Sequence, residues 1–269
     1  MFRLVQLKAI VRTRFGRCLA TICGIFAISL VAVVGFYGMC FVFRAGHFDI
    51  LKPRPNASEQ AMSRHDALCE ASCRVPTRIV FLGDSITEGW STRGKQVWES
   101  EFAGLGAFNM GVSGDRIQNL LWRLDHGATD CATPAGVVLE IGTNNVHYYS
   151  ADEIVRGIGA AVERIQRLHP NTSILVLSLL PRDRPESRAR SIVRQVNSQL
   201  VESLKDKERV EVLDVGKDFV DAEDEIPTYL IPDLLHPSES GYRQLAILLR
   251  PWIRRIDRLG DPQSSRGGP

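Results

Sequence analysis

Neither a basic stripe interleaved with aromatics nor a second Cys or His pair at ligand spacing occurs in this 269-residue chain, and internal repeats and low-complexity blocks are also missing. The first absence argues against nucleic acid as a partner, because neutralising phosphates takes clustered Lys and Arg. The second leaves zinc without a ligand set. Disorder is excluded by what is present, since 44% hydrophobic and 24% charged residues suffice for a full-sized core. Acids are missing from the first 17 residues, where Arg3, Lys8, Arg12, Arg14 and Arg17 supply +5 and leave −3 for the rest of a chain whose formal total is +2.

Charge of either sign is missing from Cys18 to Phe43, a run of 26 residues reading CLATICGIFAISLVAVVGFYGMCFVF. About 20 apolar residues cross a bilayer as a helix, so the run reads as a membrane span. A buried core helix would show a polar face, a cleaved signal peptide would have a shorter apolar region followed by an A-x-A site, and no lipobox precedes Cys40. The cationic flank is expected to stay cytoplasmic, which places everything after the span across the membrane, in the periplasm if the source is bacterial. The expected organisation is a basic N-terminus over 1–17, a signal-anchor helix over 18–43, a stalk with a short helix over 44–77, a globular domain over 78–258 and a flexible tail over 259–269. Cys69, Cys73 and Cys131 lie beyond the span. One bridge is compatible with an oxidising compartment, most simply Cys69 to Cys73, although a helix would strain it.

From Arg78 onward apolar runs alternate with amphipathic stretches, the pattern of a parallel sheet covered by helices. The runs are 79–82, 107–110, 137–141, 173–180 and 210–215. A helix capped by Ser113 carries Ile117, Leu120, Leu121 and Leu124 on one face and stops at Gly127. Ser150 and Glu153 form a capping box for a helix reaching about His169, a third covers about 187–206, and a last one starts near Ser238, with Pro251 expected to kink or end it. The sequons at Asn56 and Asn171 read as chance occurrences.

Polar groups gather where these strands end: Gly83-Asp84-Ser85, Gly111, Gly142-Thr143-Asn144-Asn145 and Pro181-Arg182. In an open parallel sheet the carboxyl ends share one edge, and ligands bind in the crevice there. A serine hydroxyl needs a base within hydrogen-bond reach, and that base needs an orienting group. His47 falls in the stalk, His65, His126 and His169 fall on helices, and His147 suits the rim of a pocket. His236, in the proline-flanked segment IPDLLHPS, has Asp233 three residues upstream, close enough to fix its tautomer. Candidate oxyanion donors are the backbone N–H groups of Ser85 and Gly111 and the amide of Asn144. Asp84 is expected to stabilise the turn through backbone contacts and to take no part in proton transfer. Asp84, Asn145 and His147 complete the candidate pocket.

The segments FLGDSITEGW, NMGVSGDRIQNLLWRL, VVLEIGTNNV and DLLHPSESGY resemble, in order and spacing, the four sequence blocks of the SGNH (GDSL-type) hydrolases, over about residues 78–258. A lone GDS would be a weak signal; the four-block combination is specific. The resemblance implies a three-layer α/β/α, flavodoxin-like fold with a five-stranded, mostly parallel sheet. It also implies Ser85 as nucleophile, His236 as base, Asp233 as its orienter, and Ser85, Gly111 and Asn144 as oxyanion hole, with no metal or organic cofactor. The second and third blocks look most like the branch containing the catalytic subunits of type I platelet-activating-factor acetylhydrolase and bacterial carbohydrate acetylesterases. Asn145 stands where many relatives carry an acid.

The expected function is a membrane-anchored, extracytoplasmic serine esterase that removes a short acyl group, acetyl above all, from a carbohydrate or polysaccharide. Its partners would be that ester and the bilayer. A lysophospholipase, a thioesterase or an acyltransferase would use the same site, and a non-catalytic polysaccharide-binding protein is the alternative of another class.

Overall fold

The computed structural model describes residues 49–259. The expected basic N-terminus, the span at 18–43 and nearly all of the expected tail lie outside the described residues. Among the described residues no helix is long and apolar enough to cross a membrane.

In chain order the elements are α1 (Glu59–Ser72), β1 (Ile79–Gly83), α2 (Ser85–Glu88), α3 (Lys95–Glu101), β2 (Ala107–Gly111), α4 (Ile117–Asp125), β3 (Gly136–Glu140), α5 (Ala151–Leu168), β4 (Ser173–Leu177), α6 (Arg188–Leu204), β5 (Val210–Leu213) and α7 (Glu239–Leu259). The five strands pair in parallel in the order β2-β1-β3-β4-β5. The chain moves outward from β1 to β2 and then returns to β3, so the strand order reverses between β1 and β3. At such a reversal the flanking loops part and leave a crevice at the carboxyl edge.

Side chains alternate across a strand, and both faces of this sheet are covered. Val80, Leu82, Val137, Leu139, Ile174 and Val176 enter one core with α4, α5 and α6. Ile79, Phe81, Val138, Leu175 and Leu177 enter the other, where Trp90, Phe102, Tyr242, Leu249 and Trp252 meet them. Two buried faces explain why β1 and β4 read as nearly continuous apolar runs, whereas the edge strands β2 and β5 carry Asn109 and Glu211. The expected α/β/α architecture is present.

The capping box of α5 forms as expected, with Glu153 Oε2 accepting from Ser150 N–H at 2.9 Å, and Ser187 caps α6. Four expectations are corrected. Ser113 does not cap α4: the helix begins at Ile117, whose N–H is taken by Asn145 Oδ1 at 3.1 Å from the loop after β3. Pro251 does not end α7, which runs on to Leu259. Burial of Trp252, Ile253 and Ile256 in the next turns outweighs the roughly 3 kcal/mol that proline costs inside a helix. Strand β4 stops at Leu177 rather than 180, because Ser178 Oγ accepts from the N–H groups of Val215 and Gly216 and replaces the ladder there. The disulfide joins Cys73 to Cys131, with Cα atoms 4.9 Å apart, and leaves Cys69 free. One helical turn holds Cys69 and Cys73 in a geometry unfit for bridging, whereas Cys73 at the end of α1 faces the loop after α4.

The described part of the expected stalk is not free-standing. Ile50 is buried in the α4–α5 core, Arg54 N–H donates to Gln118 O, and Asn119 Nδ2 donates to the carbonyls of Arg54 and Pro55.

Candidate active site

Strand β1 ends at Gly83, where a Cβ would lie 2.1 Å from Thr87 Oγ1 and 2.2 Å from Glu140 O, so the chain can turn there only without a side chain. Asp84 Oδ1 then accepts from Ile86 N–H at 3.0 Å and caps α2, the turn-stabilising role expected of it. Ser85 becomes the first residue of that short helix. Its amide therefore has no intrahelical acceptor.

His236 arrives from the other end of the chain, on the loop before α7. Asp233 Oδ1 accepts from the N–H groups of Leu235 at 3.1 Å and His236 at 2.6 Å, and its Oδ2 accepts from His236 Nδ1 at 2.9 Å. Leu234 between them sits at φ 58°, a left-handed conformation that a leucine adopts only when its surroundings impose it. Here Leu234 N–H donates to Ile231 O, and Leu234 O accepts from Asp183 N–H. With Nδ1 carrying the proton, His236 Nε2 is bare, and the Ser85 hydroxyl donates to it at 3.1 Å. Burial pushes the Asp233 carboxyl up, but the N–H bonds from His236 and Leu235 outweigh it and hold the group below its ordinary value. It is ionised at neutral pH and steadies a positive imidazole.

The oxyanion candidates come from the neighbouring strand ends. Asn144 Nδ2 spends one proton on the carbonyl of Asp115 at 2.9 Å and keeps the other. Gly111 N–H is already donated to Asn109 Oδ1 at 2.9 Å, so it serves an oxyanion only by sharing or exchanging that bond. A Cβ at position 111 would lie 2.2 Å from Glu88 N, so the close approach of the α2 backbone demands glycine there.

Asn145 is no pocket residue. It is fully buried, caps α4 through Oδ1 and donates to Gln118 Oε1 at 3.1 Å. His147 is exposed on the same loop, its ring edge-on to Tyr148. Of the helical histidines, His65 is buried with Nε2 against His126 O, and His169 Nε2 meets Thr129 Oγ1. Among the described residues no group of three or more His, Cys, Asp and Glu could hold a metal ion.

The sequence reading missed the frame that holds these loops. Asp115 is wholly buried and pairs with buried Arg123, whose Nε lies 2.7 Å from Asp115 Oδ2. The same guanidinium donates to Met110 O at 2.8 Å and Gly83 O at 3.1 Å, tying the ends of β1 and β2 together. The one available signal was an arginine embedded among Leu120, Leu121 and Leu124. Tyr242 was also missed: buried in the second core, its hydroxyl donates to Ile86 O at 2.7 Å and props α2 from below. A cavity of about 370 Å³ lies elsewhere on the edge, lined by Pro181, Asn197, Asp214, Gly216 and Lys217, and includes neither Ser85 nor His236. Its Arg194 is paired with Asp224, and it holds no nucleophile with a base.

Two carboxyls, Asp84 and Glu140, are buried close enough for the charge of one to act on the other. Burial raises Asp84 from its ordinary 3.8 to about 7, against the Ile86 N–H bond and with help from Asp115. Burial, and then the charge of Asp84, push Glu140 well up too. Between pH 4 and 7 the folded chain therefore keeps protons that the unfolded chain has released. The stabilising contribution of this pair is complete in acid below the unfolded value and is lost as pH rises through the folded one. We expect Glu140→Gln to remove Glu140's share of the fall in Tm between pH 5 and pH 8 and to leave that of Asp84, measured by thermal unfolding across that range. An unchanged slope would show that the pair does not titrate as described.

Residues 81–244 match the model of the GDSL-like lipase/acylhydrolase family. The platelet-activating factor acetylhydrolase IB subunit alpha1 of Rattus norvegicus is 32% identical over 209 residues, covering 76% of this chain and 89% of that protein. In fold, the chain is similar to a putative acylhydrolase of Bacteroides fragilis (TM-score 0.62, 20% identity, 75% of this chain and 100% of the other). It is also similar to an acetyl-xylooligosaccharide esterase of Geobacillus (TM-score 0.53, 19% identity, 68% and 95%). The hydroxyl, imidazole and carboxylate assembled at the reversal of the sheet thus sit in a chain that belongs to the GDSL-like lipase/acylhydrolase family, the SGNH hydrolases, and acts on carboxylic ester bonds.

Proposed function

We propose that the protein is a membrane-anchored, extracytoplasmic esterase that removes short acyl groups, acetyl foremost, from a carbohydrate or polysaccharide. The observation that carries the chemistry is the relay from Ser85 Oγ to His236 Nε2 at 3.1 Å and from His236 Nδ1 to Asp233 Oδ2 at 2.9 Å. Ser85 Oγ attacks the ester carbon while its proton passes to Nε2, and Asp233 balances the imidazolium. The negative oxygen that forms faces the Ser85 N–H and the spare Asn144 proton, with Gly111 N–H joining as its bond to Asn109 is shared. Collapse breaks the bond to the sugar oxygen, which takes the proton from His236 and leaves as a hydroxyl. Water then enters by the reverse path and frees the carboxylic acid and Ser85.

Support for the acyl size comes from the acetyl ester named for the curated relative and from the acetylated xylooligosaccharide named for the Geobacillus neighbour. For the sugar, the half-exposed Tyr148 ring is held under the Arg116 guanidinium, 4.0 Å from its centroid, and offers a fixed aromatic face beside the Asn144 loop. For the location, the uncharged run over 18–43 with its cationic flank is joined by the Cys73–Cys131 disulfide, a bond that persists in oxidising compartments.

The deciding experiment compares full-length, detergent-solubilised protein on p-nitrophenyl acetate, p-nitrophenyl octanoate and acetylated xylooligosaccharides. Acetate release from the oligosaccharide, with acetyl preferred over octanoyl, supports the reading. Preference for the longer acyl chain would make it a lysophospholipase or thioesterase instead. A topology reporter fused after residue 259 should be active only outside the cytoplasm.

A further inference from the structure

The segment that precedes the family-matched region is attached to the loops that carry the expected oxyanion donors, and at two separate points. Arg64 on α1 donates from Nε to Gly111 O at 2.8 Å, and the same nitrogen lies 3.2 Å from Glu88 Oε2. Glu88 in turn accepts from Ser113 N–H at 2.7 Å. On the other side, Asn56 Nδ2 donates to Asp115 Oδ1 at 2.9 Å, beside the Arg123 pair, and it is the carbonyl of that same Asp115 that receives the Asn144 amide. The Cys73–Cys131 bond fastens the far end of α1.

We propose that Arg64 and Asn56 are positioning residues for ester hydrolysis: they clamp the Gly111 and Asn144 donors from a segment that lies before the matched domain, at residues 56–64. The inference rests on the esterase reading given above. Glycine has no side chain to hold its peptide planes, so Gly111 would sample orientations that aim its N–H away from a developing oxyanion. Asn109 fixes the plane on its N-terminal side and Arg64 the plane on its C-terminal side. Asn56 and Arg123 together hold both carboxylate oxygens of Asp115, which fixes where its carbonyl points and so where the Asn144 amide must lie. A purely stabilising role accounts poorly for Arg64. It and Glu88 are partly solvent-exposed, and ion pairs of that kind add about 0–1 kcal/mol. Displacing a donor by a fraction of its bond length, in contrast, acts on the transition state and leaves ground-state binding alone.

Full-length protein carrying Arg64→Met, Asn56→Ala or Arg64→Lys is compared with wild type on p-nitrophenyl acetate. Arg64→Met is expected to lower kcat about 10- to 100-fold with KM within about twofold, and Asn56→Ala to lower it in the same manner. Arg64→Lys, which keeps a charge and a donor, should recover part of the loss. Arg74→Met is the control, because Arg74 pairs with Glu70 on the solvent side of the same helix end; kcat should not change. Amide hydrogen exchange of residues 109–116 is followed in parallel, and Arg64→Met should accelerate it there without accelerating the sheet. A kcat that stays within twofold, or one that falls only in step with Tm, overturns the clamp, as does unchanged exchange at 109–116. If wild type itself hydrolyses no ester, the esterase reading fails, and the exchange measurement still decides whether Arg64 and Asn56 hold these loops.

Discussion

Ser85→Ala is expected to reduce kcat on short acyl esters by about 10⁴- to 10⁶-fold while the protein stays folded. The loss is large because the hydroxyl is the nucleophile that the relay activates; with a methyl in its place His236 has no serine proton to take. The residual rate would come from donors still aimed at the carbonyl, which act on adventitious water attack. Folding should be spared, since Ser85 is only partly buried and its side-chain hydrogen bond goes to the partly exposed loop of His236. Initial rates on p-nitrophenyl acetate, together with thermal unfolding of both proteins, make the test. Equal rates would remove Ser85 from the chemistry, whatever the family.

Arg123→Met should cost about 3–5 kcal/mol of stability. Arg123 is 2% exposed and Asp115 0%, so deleting the guanidinium leaves a carboxylate with no counter-charge in a place water does not reach. Burial already pushes Asp115 up, and Arg123 is the charge that most opposes it. Two carbonyls at the ends of β1 and β2 lose their donor at the same time. Urea unfolding measures the loss. The double variant Arg123→Met, Asp115→Leu should be less damaged than the single one, because it no longer strands a charge. If the two changes simply add, the pair is not the coupled unit described here. An intermediate consequence is functional: with Asp115 released, the Asn144 amide loses its anchor.

What the sequence determined alone is local. Apolar runs of strand length set the five strands to within a few residues, because a sheet buried on both faces needs side chains that no surface position would tolerate. The Ser150–Glu153 box and Ser187 started two helices where they were expected, since a cap satisfies donors only three residues away. Asp233 and His236 were legible for the same reason: one turn of chain brings them together. Tertiary structure decided everything that depends on a partner far along the chain. Asn145 became a helix cap for Ile117 rather than a pocket wall, Cys73 chose Cys131 over its neighbour Cys69, and Arg123 became a buried tie among strand ends instead of a surface cation. Arg64 and Asn56 looked like parts of a stalk until the sheet placed Gly111 and Asp115 beside them. Burial preference is written residue by residue, but a hydrogen bond or disulfide across tens of positions exists only once chain closure has set two directions in space, and no single stretch of sequence encodes that.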